Sequence, residues 1–158
     1  MKAVIQRVLD ASVSVDDAVK GKIKSGLLVY LGVAHNDSEK DAERLAEKTA
    51  YLRIFNDTDG KMNLSLKDLT AAGEKAGVLA VSQFTLLADA RKGRRPSYNN
   101  AAPPEKAKQL YEYFIQAVKG YDLPCKSGEF QAHMQVSYTN DGPVTIVLDS
   151  EDKNLLPV

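Results

Sequence analysis

The sequence predicts one α/β or α+β domain in which two amphipathic helices cover a sheet or an open barrel. Strand-like alternation fills both ends of the chain, helical spacing recurs in only two segments, and no linker, repeat or low-complexity tract divides the 158 residues. A chain of that length buries roughly two-thirds of the surface its unfolded form exposes, enough for a core without a covalent staple.

The first third reads as strands: Lys2 to Val8, Ser12 to Val15, Val19 to Lys24, and the apolar Leu27 to Ala34, with turns at Asp16-Asp17 and Ser25-Gly26. Ser38 followed by Asp41 forms a capping-box pattern, and Ala42, Leu45, Ala46, Thr49 and Leu52 follow at helical spacing. That predicts the first helix, which Asn56-Asp57-Thr58-Asp59-Gly60 is expected to close in a turn. Gly77 to Gln83 is a continuous apolar run of strand length and is expected to be a central strand. Leu87 to Ala102 is basic and has no apolar period, so it reads as a surface loop. Pro103-Pro104 opens the second helix, with Ala107, Leu110, Phe114, Ala117 and Val118 as its buried stripe and Gly120 as its stop. Phe130 to Tyr138 alternates, placing Ala132, Met134, Val136 and Tyr138 on a buried face and Gln131, His133, Gln135 and Ser137 on a wet one. Asn140-Asp141-Gly142-Pro143 reads as a turn before the last strand, Val144 to Leu148. The expected domain spans residues 1–150, and 151–158 form a C-terminal tail expected to fray.

Composition narrows the function classes. Lys+Arg and Asp+Glu are both 21, so no global basic field advertises a nucleic-acid partner, and any RNA contact must rest on local patches. The single Cys125 permits no internal disulfide and no Cys/His cluster offers a structural zinc site, which fits a reducing, cytoplasmic compartment. The run Ala3-Val4-Ile5 is too short for the apolar core of a signal peptide, and Leu27 to Ala34 falls well short of the roughly 20 residues of a membrane helix. Neither export nor membrane insertion is expected.

The common catalytic signatures are missing: no Gly-x-Ser-x-Gly elbow, no His-Glu-x-x-His, no phosphate-cradling glycine loop. His35 and His133 have no neighbouring nucleophile and read as solvent-facing or locally bonded. Ser82-Gln83-Phe84-Thr85-Leu86 differs, because it lies where a buried strand ends and backbone N–H groups leave the ladder and can face a ligand. The plain reading of the same residues is hydroxyls capping the backbone. In Asn140-Asp141-Gly142-Pro143-Val144-Thr145, glycine permits close backbone approach and proline makes a cis peptide possible, against the plain reading of a hairpin turn. Arg91-Lys92-Gly93-Arg94-Arg95 is a dense basic loop with Tyr98 at its edge, and Lys20, Lys22 and Lys24 add a row on one strand face. Such a loop is either a solvated surface or a phosphate-contacting patch.

Together and in this order, Ser82 to Leu86 and Asn140 to Thr145 resemble the D-aminoacyl-tRNA deacylases, the D-tyrosyl-tRNA deacylase family. So do the opening Met1 to Val8, Leu52-Arg53-Ile54-Phe55, Asp59-Gly60-Lys61-Met62-Asn63, and Arg91 through Ser97, so the likeness covers Met1 to about Ser150. It implies a cytoplasmic homodimer around a β-barrel-like sheet core, with no cofactor and no metal. The implied enzyme hydrolyses the ester between a D-amino acid and the tRNA 3′ end, a chiral proofreading step in translation. By the same likeness Ser82, Gln83, Phe84 and Thr85 line the catalytic pocket for the aminoacyl-adenosine end. Gly142 and Pro143, cis in the family, reach from one subunit into the other's site and screen chirality. Met134 matches a pocket methionine and Ala107 a small pocket residue, while Arg91, Lys92, Arg94 and Arg95 are the tRNA-binding candidates. Gln131 departs from the small residue usual at its position. On strand parity it faces away from Met134, so its expected effect is on a surface or interface contact.

A backbone wall that leaves room for hydrogen but not for a side chain excludes L-residues and cannot exclude glycine. Glycyl-tRNA is therefore an expected second substrate, with L-alanyl-tRNA spared. The rival class is a non-hydrolytic module that binds RNA ends through the same pocket and basic loop.

Overall fold

The computed structural model describes residues 1–152 and Leu155. Its spine is β1 (Lys2–Val15), which buries Ala3, Ile5, Ala11 and Val13. Along one edge of β1, β2 (Ala18–Ile23) and β3 (Gly26–Gly32) lie end to end, with Ala11 opposite Ile23 and Val8 opposite Gly26. Asp16 and Asp17, both at positive φ (48° and 61°), make the tight turn between β1 and β2. The other edge of β1 carries β8 (Gln135–Asp149), antiparallel along almost its whole length. β6 (Gly77–Ser82) runs parallel to β3, and β7 (Cys125–Ser127) parallel to β6.

The sheet curls until β2 meets β7. A Cβ on Gly21 would stand 2.7 Å from the Ser127 carbonyl oxygen, so this approach requires glycine. The curl gives a barrel-like core lined by Val8, Ala11, Val13, Ile23, Leu28, Leu79 and Val81. Over the outer face lie α1 (Glu39–Tyr51) and α3 (Pro104–Gly120), whose Leu45, Leu110, Phe114 and Val118 bury a second apolar layer against Ile5, Val29 and Val78. Both helices start as expected: Ser38 and Asp41 complete a capping box for α1, and Pro104 occupies the first turn of α3.

Four expectations need correction. A third helix, α2 (Leu66–Ala71), lies between the two covering ones in the chain; at six residues it is too short to show helical periodicity, although Ser65 and Asp68 cap it as a box. Residues 56–60 do not close α1, which ends at Tyr51; their turn joins β4 (Phe55–Asn56) to β5 (Met62–Leu64). Gly120 is still helical, and the left-handed residue past the helix is Asp122 at φ 56°. Asn140 to Pro143 is not a reversal, because β1 pairs with both flanks of it in the same direction. Val8 faces Asn140 and Gln6 faces Thr145, so the segment is a wide bulge inside β8.

The expected fraying of residues 151–158 falls largely outside the described residues; Leu155 packs against the core.

Candidate functional site

Strands β3 and β6 end side by side, with Leu31 opposite Ser82, and the Gln83 N–H donates to the Leu31 carbonyl at 2.8 Å. The chain then folds back in a 3₁₀ turn, Phe84–Leu87. Gly32 makes this possible, since a Cβ there would lie 2.5 Å from Leu87 Cδ2 and 2.9 Å from the Gln83 carbonyl oxygen. As the first residues of a helical turn, Phe84 and Thr85 have N–H groups with no backbone acceptor behind them, and neither finds another among the described residues. Thr85 Oγ1 donates to Gln83 Oε1 at 2.8 Å, fixing the Gln83 amide. The half-exposed Phe84 ring meets Tyr98 edge-on, centroids 5.1 Å apart, which ties the turn to the end of the basic loop.

A cleft of about 620 Å³ opens beside this turn. It gathers Ser82, Gln83, Phe84, Met134 and Ala107, five of the residues singled out in the sequence. Thr85 stands next to the cleft through its bond to Gln83 and is not part of its lining. Tyr30, Tyr111 and Phe130 complete the apolar walls. Burial, with the neighbouring Tyr138 hydroxyl, pushes the Tyr30 pKa up to about 12. Burial likewise raises Tyr111, whose hydroxyl donates to the Ala80 carbonyl at 2.9 Å. Both tyrosines are neutral donors at any physiological pH.

Gln131 corrects the strand-parity argument. Residues 130 and 131 form a turn, β8 begins only at Gln135, and Gln131 lines the same cleft as Met134. Its φ of 64° lies in the left-handed region, where any residue with a Cβ pays a steric cost, so glycine is the easier occupant. His133 faces solvent at the cleft mouth, and His35 is locally bonded, its Nε2 3.0 Å from the Asn99 carbonyl oxygen.

Gly142 and Pro143 lie outside this cleft, exposed at the crest of the β8 bulge, and the bond between them is cis. Two groups hold the bulge. The Asn140 amide donates to the carbonyls of Arg7 (2.9 Å) and Val144 (3.1 Å), closing its neck. The buried Arg7 guanidinium donates to the Ile54 carbonyl (2.6 Å) and places Nε 2.8 Å from Asp141 Oδ2, off the N–H direction, so this last contact is an ion pair and not a hydrogen bond. Sequence reasoning passed over Arg7 although a signal was present. It shares strand parity with the buried Ala3 and Ile5, and a charge at an inward position has to be paired.

In the basic loop, Arg91 is clamped by both carboxylate oxygens of Asp89 at 2.8 and 2.6 Å, which holds the Asp89 pKa well below the ordinary range. Lys92, Arg94 and Arg95 are exposed and pair with nothing among the described residues. No group of three or more His, Cys, Asp or Glu side chains that could hold a metal ion occurs among the described residues, and none of their helices is long and apolar enough to cross a membrane.

The family model described as D-Tyr-tRNA(Tyr) deacylase matches residues 4–149. A D-aminoacyl-tRNA deacylase of Thermosipho africanus is 58% identical over 151 residues, covering 96% of this chain and 98% of its own length. Its counterpart in Thermotoga petrophila is 55% identical over 150 residues, covering 95% and 97%. Among solved structures, one described as c-Myc DNA Unwinding Element Binding Protein superposes with a TM-score of 0.85 at 39% identity, over 94% of this chain and 98% of that one. A probable eukaryotic D-amino acid tRNA deacylase shares the fold, with a TM-score of 0.77 at 17% identity over 93% and 97%. A full-length match to the family model, with relatives above half identity on both chains' lengths, means that this chain belongs to the D-Tyr-tRNA(Tyr) deacylase family.

Proposed function

We propose that this protein is a D-aminoacyl-tRNA deacylase that takes the aminoacylated 3′ end of tRNA into the cleft beside Phe84. The observation that carries the reading is the pair of unpartnered N–H groups on Phe84 and Thr85, beside an apolar cleft that takes an amino-acid side chain. Water attacks the ester carbonyl, the two N–H groups receive the developing oxyanion, and the tRNA 3′-oxygen leaves with a proton. Donors so placed supply a factor of about 10²–10³ each in other hydrolases. Among the described residues no side-chain base lines the cleft apart from His133 at its exposed mouth, which supports the substrate-assisted route that the resemblance to the family implies, in which the 2′-hydroxyl of the terminal adenosine assists the water.

Chiral selection needs a rigid group that the cleft of a single chain lacks, and Gly142-Pro143 is the exposed, braced element that can supply it from a second copy. Among the described residues the outer edge of β8, a 15-residue strand, has no partner, and Val147 (71% exposed), Tyr138 (39%) and Leu9 (56%) are bare large hydrophobics on β8 and the adjoining β1. An apolar free edge of that length calls for cover, which supports a homodimer that presents each bulge to its partner's cleft. Backbone in that place rejects an L-side chain and admits glycine. The lone buried Cys125 thiol suits the reducing cytoplasm where tRNA is edited.

Two outcomes check the roles. With N–H donors doing the work, Thr85→Ala is expected to keep most of its single-turnover rate on D-tyrosyl-tRNA; intact binding with no turnover would instead make Thr85 the nucleophile. Replacing Arg94 and Arg95 together with alanine is expected to weaken tRNA binding and flatten its salt dependence, with D/L preference unchanged. An unchanged salt slope removes that loop from the tRNA footprint.

A further inference from the structure

A second cleft, of about 510 Å³, adjoins the first. The wall between them is a short ladder. Ala34 pairs with Ala101, the Ala102 N–H donates to Val33, and the His35 N–H donates to Asn100. Val33, Ala101 and Ala102 face the first cleft; Ala34, His35 and Asn100 face the second. The 3₁₀ turn spans both as well, with Phe84 in one and Leu87 in the other. Consecutive residues are about 3.8 Å apart, so where neighbouring residues line opposite clefts the two are separated by no more than the thickness of this ladder.

We propose that this second cleft seats the base of the nucleotide just before the terminal adenosine, the cytosine of the CCA end that tRNAs share. The inference rests on the deacylase reading of the first cleft. Charge decides between a base and a phosphate. The lining cations are already paired, the Met1 ammonium with Asp37, Lys2 with Asp149 (3.8 Å) and Arg91 with Asp89 (2.6 Å), while the Glu151 carboxylate has no partner among the described residues. With each of these cations paired and the Glu151 carboxylate left over, the cleft repels phosphate, which is left to Arg94 and Arg95 outside, unpaired among the described residues. For a neutral base the lining is well supplied. The side-chain amides of Asn36 and Asn100 have no hydrogen-bond partner among the described residues and each offers a donor and an acceptor to a Watson–Crick edge, while carboxylates accept from the cytosine amino group. The His35 ring, fixed by its 3.0 Å contact with the Asn99 carbonyl oxygen, gives the base a face to stack on.

The test compares three D-tyrosyl esters, those of adenosine, of the dinucleotide CpA and of full tRNA, on the wild type and on Asn36→Ala with Asn100→Ala. The double variant is expected to lose about 10-fold in kcat/KM on CpA and tRNA, the worth of one or two neutral hydrogen bonds. On the adenosine ester it should match the wild type. Equal kcat/KM of the variant and the wild type on CpA and tRNA, or the same loss on all three esters, overturns the cytosine site and leaves the deacylase reading standing. A wild type that hydrolyses CpA but not adenosine esters supports the site directly. Failure of the wild type on all three overturns the deacylase reading, and the site with it.

Discussion

Arg7→Ala is expected to lower kcat/KM on D-tyrosyl-tRNA by about 100-fold and to narrow the gap between D- and L-substrates, in a protein that still unfolds cooperatively. Arg7 touches neither cleft; it acts on the β8 bulge, where its guanidinium pairs with Asp141 and caps the Ile54 carbonyl, tying β1, the β4–β5 hairpin and Gly142-Pro143 together. Its removal costs about 2–3 kcal/mol, less than a fully buried ion pair, because Asp141 is 38% exposed and recovers water. The larger effect is geometric, since a displacement of about 1 Å in a positioning element can cost about 10²-fold in rate. Measuring D- and L-tyrosyl-tRNA turnover beside a urea titration separates the two. If activity falls only by the fraction unfolded, with the D/L ratio unmoved, Arg7 is a stability residue and no more.

Phe114→Ala is expected to be the most damaging single truncation of the core, at about 3–5 kcal/mol. The side chain is fully buried in the layer where α3 packs beside α1 over the outer sheet face, and it is the largest of the fully buried side chains. Against a typical total of about 5–15 kcal/mol, that removes a large share of the fold's stability. The midpoint of urea unfolding, read at one protein concentration because a dimer's stability depends on it, checks the figure. A loss below about 1 kcal/mol would mean that α3 is not what closes the core.

The sequence made some parts of this molecule legible for physical reasons. β1, β3 and β6 could be read because each buries a face, or both, and so shows its period or its unbroken apolar run; α1 and α3 could be read because each is long enough to repeat a stripe and carries its own start signal. α2 and β7, at six and three residues, repeat nothing and escaped. Asn140 to Pro143 was misread because its residues are those of a turn, and only the pairing of both flanks with β1 shows that the strand goes on. The same limit misplaced Gln131, where a parity count was carried through a turn. The Ser82 to Thr85 segment could be singled out because an apolar strand ended in polar residues. Tyr30, Tyr111 and Phe130, which shape the cleft, come from three separate elements with nothing local to set them apart from core residues. Arg7, and the Ser65–Asp68 capping box that opens α2, were within reach of sequence reasoning and overlooked.

Release of free amino acid from D-tyrosyl-tRNA by the purified protein tests the central claim most directly. The account predicts rapid release of D-tyrosine, slower but detectable release of glycine from glycyl-tRNA, and intact L-tyrosyl- and L-alanyl-tRNA. Tight binding of D-tyrosyl-tRNA with no amino acid released would contradict it and leave a module that holds RNA ends.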